Sequence, residues 1–144
     1  MKRLLALIPA LVLATPVFAQ EAPAEAYNDL WCGLAFVTAA SAAPYSAEDL
    51  TAARAAGDAA TDAQKEIVAQ AEMAEGFIEG GEGLIAKAEE GYLAAGFSAD
   101  RFASTRTQLG ETVNAQISGP AAGAEFTFEQ CIVRLPQDGA APTP

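Results

Sequence analysis

Cys32 and Cys131 are the only cysteines in the 144-residue chain, and they stand 99 positions apart. What they do depends on where the chain goes after synthesis. Met1-Lys2-Arg3 is a short basic start, the run from Leu4 to Leu13 is apolar, and Val17-Phe18-Ala19 ends in the small residue of a cleavage site. An apolar stretch of about ten residues behind a basic start describes a secretory signal peptide, whereas a membrane span needs about 20 apolar residues. Removal of residues 1–19 is therefore expected, with Gln20 as the new first residue. Gln20 offers no thiol for acylation and Lys2-Arg3 is no twin-arginine pair, so a soluble periplasmic or secreted protein follows.

In such an oxidising compartment, a lone cysteine pair in a small domain forms a bridge. Closing a loop of roughly 100 residues restricts the unfolded chain by about 4.7 kcal/mol in the entropy model. That is a large share of the about 5–15 kcal/mol by which domains are stable. The predicted bridge joins the first mature helix to the last. A redox role is disfavoured, because there is no Cys-x-x-Cys and neither cysteine has a basic residue within two positions.

The mature length of 125 residues fits one compact domain, expected over 20–135, followed by a Pro-, Gly- and Ala-rich tail over 136–144. Without Lys2 and Arg3, six basic residues face nineteen acidic ones, a net charge of −13. Nucleic acid and anionic lipid are bound chiefly by Lys and Arg, so such a surface repels both. Basic partners and cations remain compatible with it, and the charge also keeps an alanine-rich exported protein soluble.

Helical signals run the length of the mature chain. Residues 25–43 carry Tyr27, Leu30, Trp31, Leu34, Phe36 and Val37 on nearly every face, with no charge from Leu30 through Ala47. A helix apolar all round is buried, and this one is too short in its apolar part to span a bilayer. Trp31 and Cys32 belong to its core side. Ser46 then caps a short helix ending near Gly57, with Leu50 as surface cover. Thr61-Asp62-Ala63-Gln64 is a capping box. Behind it Ile67, Ala71, Ala74, Ile78, Gly81, Ile85, Ala88 and Tyr92 recur at alternating steps of four and three, one face of a helix.

Glycines interrupt that stretch at 76, 80, 81, 83 and 91, and each costs about 1 kcal/mol against Ala inside a helix. A break or kink near Gly80-Gly81 is expected, with a second helix starting around Glu82. The alternative is one long helix whose glycines admit a neighbouring backbone, and the unbroken phase of the apolar face favours it. Ser98 caps the next helix, with Phe102, Leu109, Val113 and Ile117 on one face and Gly119-Pro120 as its stop. Thr127-Phe128-Glu129-Gln130 is a further capping box, and Phe128, Cys131, Ile132 and Leu135 share a face of a short terminal helix. Phe126-Thr127-Phe128 also fits a brief strand, for which the chain offers no partner. The fold class predicted is all-α: a small helical bundle of four main helices plus one or two short ones.

Chemistry is limited by what the chain lacks. It has no histidine, which removes His-activated nucleophiles, the usual zinc and copper ligand sets and c-type haem attachment. Nucleophile-elbow, P-loop and dinucleotide motifs are missing too, and the glycine-rich 76–83 stretch carries Glu79 and Glu82 where a phosphate would need positive charge. No catalytic residue, cofactor or metal site is assigned. Glu72, Glu75, Glu79 and Glu82, spaced three, four and three apart, align on one helix face that a hard cation could meet, although a straight helix offers a line of carboxylates and no cage. The simpler reading of that face is a solvated one. Paired carboxylates for glycoside hydrolysis cannot be singled out among nineteen acids. Tyr45, Tyr92 and Phe97 lie near helix ends and form a candidate aromatic contact patch, with core edge as the alternative.

A non-enzymatic exported protein acting through contact with a protein partner in the cell envelope, or through stress protection there, is the expected function. In size and layout, with two cysteines, helices throughout and Trp31-Cys32 near the mature start, the chain resembles the periplasmic acid-stress chaperones of the HdeA type. It is longer and more acidic than those, and no residue role is carried over. The alternative is a periplasmic small-ligand or cation-binding protein using a pocket between helices.

Overall fold

The computed structural model describes residues 21–118 and 124–135. The signal segment 1–19, the stop at Gly119-Pro120 and the tail 136–144 lie outside the described residues. Five α-helices follow one another: α1 Ala24–Ser41, α2 Ala47–Ala56, α3 Asp62–Ala94, α4 Ala99–Ser118 and α5 Phe128–Ile132. A single 3₁₀ turn, Gly57–Ala59, follows α2, and among the described residues there is no strand. The all-α bundle expected from the sequence is present, as four long helices and a short one joined by the Cys32–Cys131 disulfide.

Local chemistry sets the helix ends. Ser46, Thr61 and Thr127 each accept a hydrogen bond from the backbone N–H three residues on, and Asp49, Gln64 and Gln130 reach back to the cap residue's own N–H. These reciprocal bonds satisfy donors that the helix itself leaves open. Ser98 Oγ accepts from the Arg101 N–H at 3.2 Å and opens α4. Between α3 and α4 the chain reverses at Gly96, whose φ of 89° is left-handed. The Gly96 N–H bonds to the Leu93 carbonyl at 2.9 Å and the Phe97 N–H to the Tyr92 carbonyl at 3.0 Å, the paired closure of a Schellman motif. This turn folds Phe97 back onto Tyr92, edge to face at 5.0 Å.

The expected break at Gly80-Gly81 does not occur: α3 runs unbroken through Gly76, Gly80, Gly81 and Gly83. The reason is the approach of α1. A Cβ built on Gly81 would lie 2.8 Å from the Gly33 carbonyl oxygen, and one on Gly33 would lie 2.6 Å from the Gly81 carbonyl oxygen. Further along the same antiparallel crossing, Gly91 faces the Ala26 methyl. Glycine's helix penalty is thus offset by a closer contact between two helices that both carry large apolar side chains. Gly76 and Gly83 meet nothing within 4 Å and have no such role within the chain.

The core gathers around α1, with Leu30, Trp31, Cys32 and Phe36 packed against Leu84, Ile85, Ala88 and Tyr92 of α3. Phe102, Leu109 and Val113 of α4 complete the cluster with Phe97 and Cys131. The helix that reads as apolar all round is indeed the buried central one. No helix among the described residues is long and apolar enough to cross a membrane.

Candidate functional site

Two features near the disulfide stand out, one built of charges and one of apolar side chains. Asp29 is the last charged residue before the uncharged run of α1, and it is only 2% exposed. Its Oδ2 meets Lys87 Nζ of α3 at 2.8 Å, and its Oδ1 meets Arg134 Nη1 at 2.8 Å. Arg134 also reaches Glu25 Oε2 at 3.2 Å. With the Asn28 amide nitrogen turned to the Ala24 carbonyl, its oxygen accepts from Arg134 Nη2 at 3.2 Å. The hydrogen bond to Asp29 is the main reason the Arg134 guanidinium is held above its usual pKa. Asp29 and Cys32 are three residues apart on α1, as are Cys131 and Arg134 at the chain's far end, so a covalent and an ionic link run side by side. Both oxygens of this carboxylate are occupied by cations, which makes it a fastening and leaves no open acid for catalysis.

The apolar feature is a shallow open groove of about 220 Å³. One wall is the end of α1 and the turn after it: Ala39, Ala40, Ala42, Ala43 and Pro44, then Tyr45. These small side chains leave space where larger ones would fill the angle between α1 and α3. The other wall is Met73, Ala74 and Phe77 of α3, with Phe128 of α5 closing one end. Phe77 stacks on Phe36 with centroids 5.3 Å apart and planes within 5°. Phe128 meets both rings edge-on, at 5.4 and 5.3 Å. The capping box at Thr127 and the bridge at Cys131, four residues further on, set where Phe128 sits. Met73 is 61% exposed and Phe128 48%, and beyond them Ile132 and Val133 of the same terminal segment are also exposed. The Gln70 amide, which donates to Glu66 Oε1 at 3.0 Å, and the Tyr45 hydroxyl are the polar side-chain groups on the lining.

A second open cleft, of about 320 Å³, lies between α2 and α3 and is lined by Arg54, Lys65 and Glu72 among alanines and Val68. Arg54 is already paired across it with Glu75 at 2.6 Å.

The residues proposed from sequence fall out as follows. Cys32 and Cys131 are bonded, with Cα atoms 5.2 Å apart. Glu72, Glu75, Glu79 and Glu82 all lie exposed along α3, Glu75 on Arg54. Among the described residues no three His, Cys, Asp or Glu gather closely enough to hold a metal ion. The aromatic patch does not form as expected: Tyr92 and Phe97 are buried against each other, and Tyr92 also against Phe102, because the Gly96 turn returns Phe97 to the core. Burial pushes the Tyr92 hydroxyl above its usual pKa. Only Tyr45 reaches a surface feature, at the groove.

Met73, Phe77 and Asp29 were not singled out by sequence reasoning, and Phe128, read there on one face with the buried Cys131, is instead 48% exposed. A signal for the first pair exists: Met73 and Phe77 are four apart and lie beside, not on, the stripe from Ile67 to Tyr92. Asp29 is marked by its place three residues before a bridged cysteine in an apolar helix. Compared with family models, curated proteins and solved structures, the chain matches none.

Proposed function

We propose that the chain is an exported protein that acts by contact and not by catalysis, offering the groove between α1, α3 and α5 to a protein partner in the cell envelope, in a binding or stress-protective role. One observation carries this reading. Met73 and Phe128 stay exposed where Phe128 stands on Phe36 and Phe77 in a three-ring cluster, in a chain of net charge −11 whose other surfaces can satisfy solubility without them. Contiguous exposed apolar surface on a small soluble protein marks a place of contact. Export is supported by the signal-like first 19 residues and by the Cys32–Cys131 link, which suits an oxidising compartment.

A small-ligand carrier is favoured less. Drug-sized ligands occupy concave sites of about 300–1,000 Å³ that bury most of their surface. The groove, at about 220 Å³, is smaller than that, and the α2–α3 cleft, at about 320 Å³, only reaches the lower end; both are open. A photo-crosslinking side chain placed at Met73 or at Phe128 in producing cells tests the contact reading. Discrete protein adducts in the envelope fraction from these positions, and none from Arg106 on α4, are the expected result. Adducts equally frequent from Arg106, or absent from both groove positions, overturn it.

A further inference from the structure

Building on the contact reading, we infer that the groove's occupant is a cationic amphipathic segment of a partner polypeptide, its apolar side chains against Met73, Phe77 and Phe128 and its Lys or Arg residues over the acidic rim. The lining contains no basic side chain. Glu66 stands one turn before Gln70 on α3 and is tied to it, and Glu129 follows Phe128 in the first turn of α5. Both carboxylates are exposed.

Among the described residues the basic side chains lie away from this lining, Arg106 on α4 and the others engaged as follows. Lys87 and Arg134 sit on Asp29, Arg54 sits on Glu75, and the Arg101 guanidinium lies 4.2 Å over the Phe97 ring on the α3–α4 turn. Lys65 joins Arg54 on the other cleft. An apolar trough with acidic edges in a field of net charge −11 attracts a basic segment and repels an acidic one, an anionic membrane or a second equally acidic copy. An amphipathic helix laid apolar side down is the segment geometry that uses both the rings and the rim.

The test uses the disulfide-bonded protein and a labelled leucine–lysine peptide of about 14 residues patterned as an amphipathic helix, with glutamate-for-lysine and alanine-for-leucine versions. Fluorescence anisotropy should give a Kd of roughly 10 µM for the leucine–lysine peptide and at least about tenfold weaker binding for each of the other two. Met73→Ala with Phe128→Ala should weaken it by about fivefold or more, and Glu66→Gln with Glu129→Gln by about threefold. Glu79→Gln with Glu82→Gln, on another face of α3, should leave it within about twofold. Equal loss in the Glu79/Glu82 pair and none in the groove variants would mean general charge attraction and overturns the inference. If the glutamate peptide binds as tightly as the lysine one, the basic partner is wrong while the contact reading stands. Failure of all three peptides overturns the inference as well, and the contact reading then rests on the crosslinking result. A self-associated protein in sedimentation, made monomeric by Met73→Lys, would show the occupant to be a second copy and overturn it too.

Discussion

Gly33 of α1 and Gly81 of α3 face each other so closely that a methyl group on either would overlap the other's carbonyl oxygen, at 2.6 and 2.8 Å. Each also meets the apolar side chains around it: Ile85 Cγ1 lies 2.8 Å from the built position on Gly33, and Val37 Cγ2 lies 3.0 Å from that on Gly81. Backbone cannot step aside as the end of a side chain can, so Gly33→Ala and Gly81→Ala should each destabilise by about 1–3 kcal/mol. Gly76 and Gly83 lie in the same helix with open space around them. There the substitution to Ala restores helix propensity, and each should stabilise by about 0.5–1 kcal/mol. Urea unfolding of the four variants checks this. Stabilisation by Gly81→Ala would show that the helices separate freely at their crossing.

The bridge and the charge cluster make separable predictions. Replacing Cys32 and Cys131 together by Ala should cost about 2–5 kcal/mol, through the freedom returned to the unfolded chain. Helical far-UV signal at low temperature should persist, because α1, α3 and α4 pack through their own apolar faces. A thiol count on the non-reduced protein should find no free cysteine. Two free thiols, or an unchanged melting temperature in the double variant, would contradict it.

Arg134→Met leaves the buried Asp29 carboxylate with Lys87 alone, and Lys87→Met leaves it with Arg134 alone. Lys87 is 65% exposed and its place can be taken by water, whereas Arg134 is 21% exposed and also bonds Glu25. Arg134→Met should therefore be the costlier, by about 1–3 kcal/mol, and Lys87→Met should cost about 1 kcal/mol or less. Thermal melts that order the two variants the other way would assign the fastening to α3 and not to the terminal segment.

Much of this architecture can be read from the chain before folding, and the exceptions share a cause. The caps at Ser46, Thr61 and Thr127, the stripe from Ile67 to Tyr92 and the inward placement of Cys131 are local patterns that survive into the fold, whereas Phe128 and Ile132, read on the same face as Cys131, stay exposed. The break expected at Gly80-Gly81 fails because propensity counts only the helix itself, while the benefit of glycine there comes from Gly33, almost 50 positions away. Phe97 reads as a helix-end aromatic, and only the left-handed Gly96 decides that it returns inward. The groove is less legible still. Its walls come from three separated segments, and its space comes from alanines, which carry no signal of their own.

Tyr27 supplies a pH dependence. Its hydroxyl donates to Glu125 Oε2 at 2.8 Å, tying α1 to the segment that leads into α5. Burial first, then the hydrogen bond and the charge of Glu125, push its pKa from 10.0 up to about 12. The folded state thus holds this proton more tightly than the unfolded state. Between about pH 10 and pH 12 the unfolded chain binds fewer protons, so stability is fully present below the ordinary tyrosine value and falls as pH rises through that window. Tyr27→Phe should flatten part of this alkaline loss, with a remainder from Tyr92, whose hydroxyl burial also raises. At pH 7 the same variant should cost about 1 kcal/mol or less, since the bond it removes is open to water. Melting temperature against pH for the two proteins, with tyrosinate absorbance to follow the titration, gives the answer. A difference spectrum placing Tyr27 at the ordinary tyrosine midpoint, with parallel melting curves for wild type and variant, would show that Glu125 does not hold this proton.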